Sequence, residues 1–221
     1  MKKIILLLFP LFINCTNTST TEKQLTYEEI TILLDSIHEV DQFSRKKIQK
    51  VFNEYGRESD EFINELKSLQ TSDSLNTLVV CNILDQYGWL ETSKIGSTAN
   101  RTLFLVLQHA DKDTRGKYLE TIRQATLEGK ASKSSLALYE DRLNLENGKP
   151  QVYGSQVSMD NENGENYVFP IQNPETVNES RIAVGLDSIE TYLSYFNIQW
   201  NLEEYYKALP KRMAELEKDK M

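Results

Sequence analysis

The segment Leu103-Phe104-Leu105-Val106-Leu107 is apolar around nearly its whole helical circumference. A helix of that kind has to be buried on most of its surface, so the rest of the chain must supply elements that wrap it. The predicted helix runs from about Thr98 to Ala110 and closes on Gln108-His109-Ala110-Asp111. On a helical projection Arg101, Thr102, Leu105, Gln108 and His109 fall on one arc, which is either a solvent face or the wall of a cleft.

The wrapping elements can be read from the helical period. Leu25-Thr26-Tyr27-Glu28-Glu29-Ile30 carries a Thr26 cap, Glu29 three residues later and a Leu25/Ile30 staple, so a helix begins there. Its inward seam passes through Ile30, Leu34, Ile37, Asp41, Ser44, Ile48, Val51 and Tyr55 and stops at Gly56. Asp41 is thereby turned inward. Arg45, four residues on, can neutralise it, which is a structural alternative to a catalytic carboxylate.

Ser59 is expected to cap a short helix through Leu69, with Thr71-Ser72-Asp73 as punctuation before another helix that ends at Gly88. Trp89-Leu90 then leads a polar loop through Ile95-Gly96-Ser97. Trp89 either stacks on a ligand or covers the core. Beyond Asp111, one helix carries Tyr118, Leu119, Ile122 and Ala125, and another, from Ser132 or Lys133, carries Leu136, Tyr139 and Leu143. Arg142 projects inside the apolar arc of the latter, with Glu140 and Asp141 outward or at its margin. A guanidinium there requires a carboxylate, carbonyls or a bound anion.

After Gly148-Lys149-Pro150 the period changes. Gln151 to Val157 alternates, Asn163-Gly164 is a tight-turn signal, and Tyr167-Val168-Phe169 can pair back, predicting a β-hairpin near 150–170. Gly154 within that run signals a bulge or a close approach of another group. Helices opened by Pro174, Ser188 and Leu202 follow, and Pro210 is expected to end the last before a charged tail at 210–221. The expectation is one mainly α domain over residues 25–209 with a single hairpin.

The N-terminus carries an address. Lys2 and Lys3 precede an apolar run from Ile4 to Ile13, too short for a bilayer span and suited to an export signal over residues 1–14. Cys15 and the polar tether to residue 24 resemble the processing site of a bacterial lipoprotein, although Asn14 stands where Gly, Ala or Ser is usual. That resemblance implies lipidation of Cys15, a membrane lipid as partner, and a place in the cell envelope outside the cytoplasm. The alternative is an uncleaved or conventionally cleaved signal. Cys81, the other cysteine, sits among Leu75, Leu78, Val79 and Leu84 and reads as a buried small hydrophobe. Loss of the leader with its two lysines takes the formal charge from −8 to −10, which disfavours nucleic acid as a partner.

Several motifs recur in one order: Asp41-Gln42 with Arg45, Gly88-Trp89-Leu90, Gln108-His109-Ala110-Asp111, Asp141-Arg142, Gln151-Val152-Tyr153-Gly154-Ser155-Gln156, Pro170-Ile171, and Arg181 with Val184-Gly185-Leu186. Together they resemble an uncharacterised bacterial family, a domain of unknown function, best over residues 73–196 and more weakly at the Asp41 helix. Leu90 stands where that family commonly has Pro, and Ser155 where it commonly has Thr. The resemblance implies a shared fold and polar site and brings no activity with it.

The chain has no Walker-type phosphate loop, nucleophile elbow, His-Glu-x-x-His or paired cysteines. No cofactor and no metal are expected, since His109 with Asp111 is a weak ligand pattern. Three readings remain. In a catalytic one, His109 is the general acid or base, Asp41 or Asp111 orients it, and Arg142 with Gln108 or Gln156 holds an oxygen. In a binding one, the same residues with Arg45, Trp89 and Tyr153 hold a small polar molecule or an envelope protein. In the third they form an interior hydrogen-bond network.

Overall fold

The computed structural model describes residues 24–159 and 164–218. They form a mainly α fold of eight α-helices and one two-stranded antiparallel hairpin, the predicted class. The leader, Cys15, most of the tether and Asn163 of the expected turn lie outside the described residues. No helix among the described residues is long and apolar enough to cross a membrane.

Helix α1 (Tyr27–Tyr55) starts at the expected capping box: Thr26 Oγ1 accepts from the Glu29 amide and the Glu29 carboxylate accepts from the Thr26 amide. Its seam buries Ile30, Leu34, Ile37 and Asp41, then leaves the core, so that Tyr55 is half exposed. Helix α2 (Asp60–Tyr87) is one continuous rod, not the two helices expected either side of Thr71-Ser72-Asp73. The hydroxyls there do not cap a new helix. Thr71 Oγ1 donates to the Lys67 carbonyl and Ser74 Oγ to the Gln70 carbonyl, each bonding back into its own helix.

Helix α3 (Thr92–His109) is the wrapped element, and it begins earlier than predicted. A first helical turn leads to Gly96, whose φ of 77° and ψ of 167° kink the rod, and Ile95 anchors that turn in the core. The predicted polar loop is therefore helical on both sides of one glycine. Around Leu103, Phe104, Val106 and Leu107 pack residues of α1 and α2, Tyr118 and Ile122 of α4 (Lys112–Leu127), and Tyr139 and Leu143 of α5 (Lys133–Glu146). Trp89 and Leu90 close the same core.

A second apolar cluster is built from Val168, Ile171, Val177, Ile189 and Leu193. It lies under the hairpin β1 (Val157–Met159) and β2 (Asn166–Val168), α6 (Val177–Ala183) and α7 (Ile189–Ser194). The hairpin is shorter than predicted. Val157 pairs with Val168, while Gln151–Gln156 makes only an isolated bridge between Gln151 and Ile171. Helix α8 (Leu202–Lys218) continues through Pro210, beyond the boundary expected there. Proline removes one helical hydrogen bond, and burial of Leu216 together with stacking of Arg212 on Tyr167 holds the helix past the break.

Candidate functional site

The last turn of α3 delivers His109 to the rim of an open cleft of about 620 Å³ bordered by Gln70, Asp73, Ser74, Thr77, Asp111 and Thr114. Asp41 reaches the same point from α1, its Oδ1 3.2 Å from His109 Nδ1. Arg45 Nε lies 3.1 Å from Asp41 Oδ1, and Arg45 Nη2 reaches Asp73 Oδ1 at 2.7 Å. Gln42 Nε2 donates to Asp41 Oδ2 at 2.8 Å, so both oxygens of this buried carboxylate are held. Burial alone would push the Asp41 carboxyl up. The hydrogen bond and charge of His109, the charge of Arg45 and the Gln42 bond outweigh it and hold the group at about 2.

Because Asp41 is ionised, the histidine tautomer that fits donates from Nδ1, which leaves the lone pair on Nε2. Nε2 has no hydrogen-bond partner among the described residues. The arrangement supports three kinds of chemistry: proton transfer at Nε2, hydrogen bonding to a polar ligand, and coordination. For the last, Asp41, Asp73 and His109 each offer an atom within 4.8 Å of the other two. Asp111 does not orient His109. Its carboxylate caps α4, accepting from the Thr114 amide at 2.9 Å and the Thr114 hydroxyl at 2.8 Å, and these bonds lower its pKa.

Arg142 lies on the other side of the α3 terminus. Nη1 is 3.5 Å from the Gln108 carbonyl and Nη2 donates to Gln156 Oε1 at 3.2 Å, with no carboxylate in ion-pair range among the described residues. Its Nε and the Oε1 of Gln108 are buried without partners. Burial pulls its pKa down, reinforced by the nearby charge of Arg115. Arg142 and Gln156 border a smaller groove of about 330 Å³ with Phe169 and Leu216, separate from the His109 cleft. The end of α3 is tied by Arg115, which donates to the Gln108 and Ala110 carbonyls and pairs with Glu146. Arg115 was not singled out from the sequence, although the spacing Arg115, Tyr118, Ile122, Ala125 places it on the buried seam of α4.

Asp141 overturns the expectation that it points outward or to the margin of the apolar arc, since it is completely buried. Helix α5 is covered on two sides: Tyr139 and Leu143 face the main core, while Ala137 and Asp141, one turn apart, face the opposite way. The Asp141 carboxylate accepts from the amides of Val152, Tyr153 and Ser155. Burial pushes this carboxyl up and those amides oppose it. A segment whose amides point at one carboxylate cannot run as a regular strand, which is why Gln151–Gln156 is a loop. Gln151 braces it by donating to the Gln156 and Phe169 carbonyls, and Arg181 Nη1 donates to the Tyr153 carbonyl at 2.6 Å while stacking on Tyr192.

The structure thus brings together Asp41, Arg45 and His109, and adds Asp73, which the interrupted reading of α2 hid. Gln108 is buried with its side-chain amide 3.5 Å from the Leu138 carbonyl. Arg142 and Gln156 form the neighbouring groove, and Tyr153 enters the Asp141 loop through its backbone. Trp89 borders a third cleft beside Asn100, Arg101 and Leu138 while its ring packs in the core.

Fold and site together define a mainly helical domain that presents a polar cleft at the C-terminal end of its central helix. The chain belongs to the family of unknown function DUF6624, whose model matches residues 29–204. That span holds every residue of the His109 cleft and the Asp141 loop. No curated protein and no solved structure matches the chain.

Proposed function

We propose that the protein is a lipoprotein of the bacterial cell envelope, anchored through Cys15, whose helical domain binds a small polar molecule or a polar group of an envelope partner in the His109 cleft. The observation that carries the binding part is that Asp73 and His109 line an open cleft and are joined behind its wall by Asp41 and Arg45, the four residues coming from three helices. Such a concave site with a few converging polar groups is the usual form of a small-ligand pocket. The anchor rests on Lys2, Lys3, the Ile4–Ile13 run and Cys15. A diacylglyceryl-modified cysteine carries enough chain for stable attachment.

Both parts have direct tests. Mass spectrometry of the mature N-terminus is expected to find Cys15 lipidated, and a chain wholly in the soluble fraction refutes the anchor. For the cleft, molecules retained by the purified protein are identified and their affinity compared with a folded His109→Ala variant. Loss of affinity supports the assignment, and undiminished affinity rejects it.

The Asp41–His109 contact favours one further reading, an envelope hydrolase or transferase in which Nε2 of His109 is the general acid or base. Here His109→Ala keeps ligand affinity and loses turnover. Retained turnover sinks that role.

A further inference from the structure

We infer that Asp41, Asp73 and His109 form a binding site for a divalent transition-metal cation of the zinc type, open to the cleft on one side. The inference rests on the reading of the cleft as a ligand site and names an ion within it. The donors are one imidazole nitrogen and two carboxylate oxygens, brought from α3, α1 and α2 to within 4.8 Å of one another. Ligands bound at 2.0–2.1 Å to a tetrahedral centre stand about 3.3 Å apart. His109 Nδ1 and Asp41 Oδ1, hydrogen-bonded at 3.2 Å, already stand at that spacing, and coordination through Nδ1 moves the ring proton to Nε2. Asp73, at the cleft wall, completes the set by a side-chain movement on the order of 1 Å.

Arg45 is the competitor, because its guanidinium holds the Oδ1 atoms of both carboxylates that the ion would take. It is the group able to leave: its side chain is 28% exposed against 2% for Asp41. One guanidinium opposite two carboxylates leaves those three side chains a unit negative, so added positive charge is favoured there. The Gln42 amide fixes Asp41 through Oδ2 and leaves Oδ1 for the ion, the kind of outer bond that orients a metal-ligating carboxylate. A nitrogen donor beside only two carboxylates suits zinc or manganese better than calcium or magnesium. Three protein ligands also leave a coordination position toward the cleft for water or the cleft's own ligand.

The full chain, purified in detergent without a histidine tag and stripped with EDTA, is titrated with ZnCl2 and separately with MnCl2 by calorimetry. Thermal unfolding of each metal-free variant first establishes that it folds. Saturable one-to-one Zn2+ uptake, weakened at least about tenfold in Asp73→Asn and in His109→Gln and tightened in Arg45→Gln, supports the site. No one-to-one uptake by the unsubstituted chain, or equal affinity in both ligand variants, overturns it. The polar-ligand comparison with His109→Ala is repeated in EDTA. A ligand still captured there, beside a failed Zn2+ titration, removes the metal and leaves the cleft reading standing, whereas failure of both removes both.

Discussion

Asp41 and His109, separated by 68 positions in the chain, meet at 3.2 Å between Oδ1 and Nδ1 at the point where the central helix ends. Each would be costly there alone, a buried carboxylate without a donor and an imidazole with an undefined tautomer. Arg45 and Gln42 complete the shell of Asp41, so the pair is both a structural joint between α1 and α3 and the chemical centre of the cleft.

The first prediction follows from the depressed pKa of Asp41, about 2 in the folded chain against its ordinary 3.8. A lowered carboxyl pKa contributes stability that is fully present above the unfolded value. That contribution, about 2 kcal/mol, is lost as pH falls through the window from about 4 to about 2. Urea unfolding of the unsubstituted chain and of Asp41→Asn, in EDTA, should show a stability gap that shrinks across this window. A gap constant from pH 5 to pH 2 contradicts the assignment.

Asp141 should be among the least replaceable polar residues. Asn at this position keeps one acceptor but turns an NH2 toward amides that also donate, leaving buried N–H groups of Val152, Tyr153 or Ser155 unmatched. The expected cost is about 3 kcal/mol. Denaturant unfolding measures it, and faster hydrogen exchange at amides 152, 153 and 155 localises it. A loss under about 1 kcal/mol would show that the carboxylate does not hold the loop.

Gly154 has φ of +64°, and a Cβ added there would lie 2.8 Å from Ile189 Cδ1 and 2.9 Å from Ile171 Cδ1. Gly164 shares the positive φ, at +73°, but has nothing within 4 Å of the same position. Gly154→Ala should therefore cost about 1 kcal/mol or more beyond Gly164→Ala, the difference being the packing clash with the second apolar cluster. Equal losses in chemical denaturation would mean that the isoleucines yield freely.

The buried Arg115 and the half-buried Arg142 should respond differently to replacement by Met. Arg115→Met removes the partner of Glu146 and the donors to the Gln108 and Ala110 carbonyls, at a cost of about 2 kcal/mol. Arg142→Met removes one bond to Gln156 and a long contact to Gln108, and relieves a desolvated charge that has no paired carboxylate. Its cost should stay below about 1 kcal/mol, and thermal unfolding of the two variants at pH 7 compares them.

Much of the architecture is legible in the sequence because it depends on local chemistry. Thr26 with Glu29, Ser59, Ser132 and Ser188 cap helices where the pattern places them, and Gly88 and Gly129 lie just past helix ends. The inward turn of Asp41 follows from a single buried seam. The same logic misplaces Asp141, since one apolar arc cannot reveal that α5 is covered on two sides. Thr71-Ser72-Asp73 reads as a break only while its hydroxyls are assumed to cap; with Thr71 bonded back to Lys67 and the adjacent Ser74 to Gln70, α2 stays whole.

By itself the sequence determined the mainly helical class, the central place of the Leu103–Leu107 helix, and the delivery of His109 to its end. Those outcomes depend on periodicity and capping, which act over a few residues. Only the tertiary structure decided that Asp73 and His109 join the Asp41–Arg45 pair, that Arg142 opens to a separate groove, and that Gln151–Gln156 is a loop. These depend on which helices lie side by side and on where buried charges find donors, and neither is encoded within the span of one element.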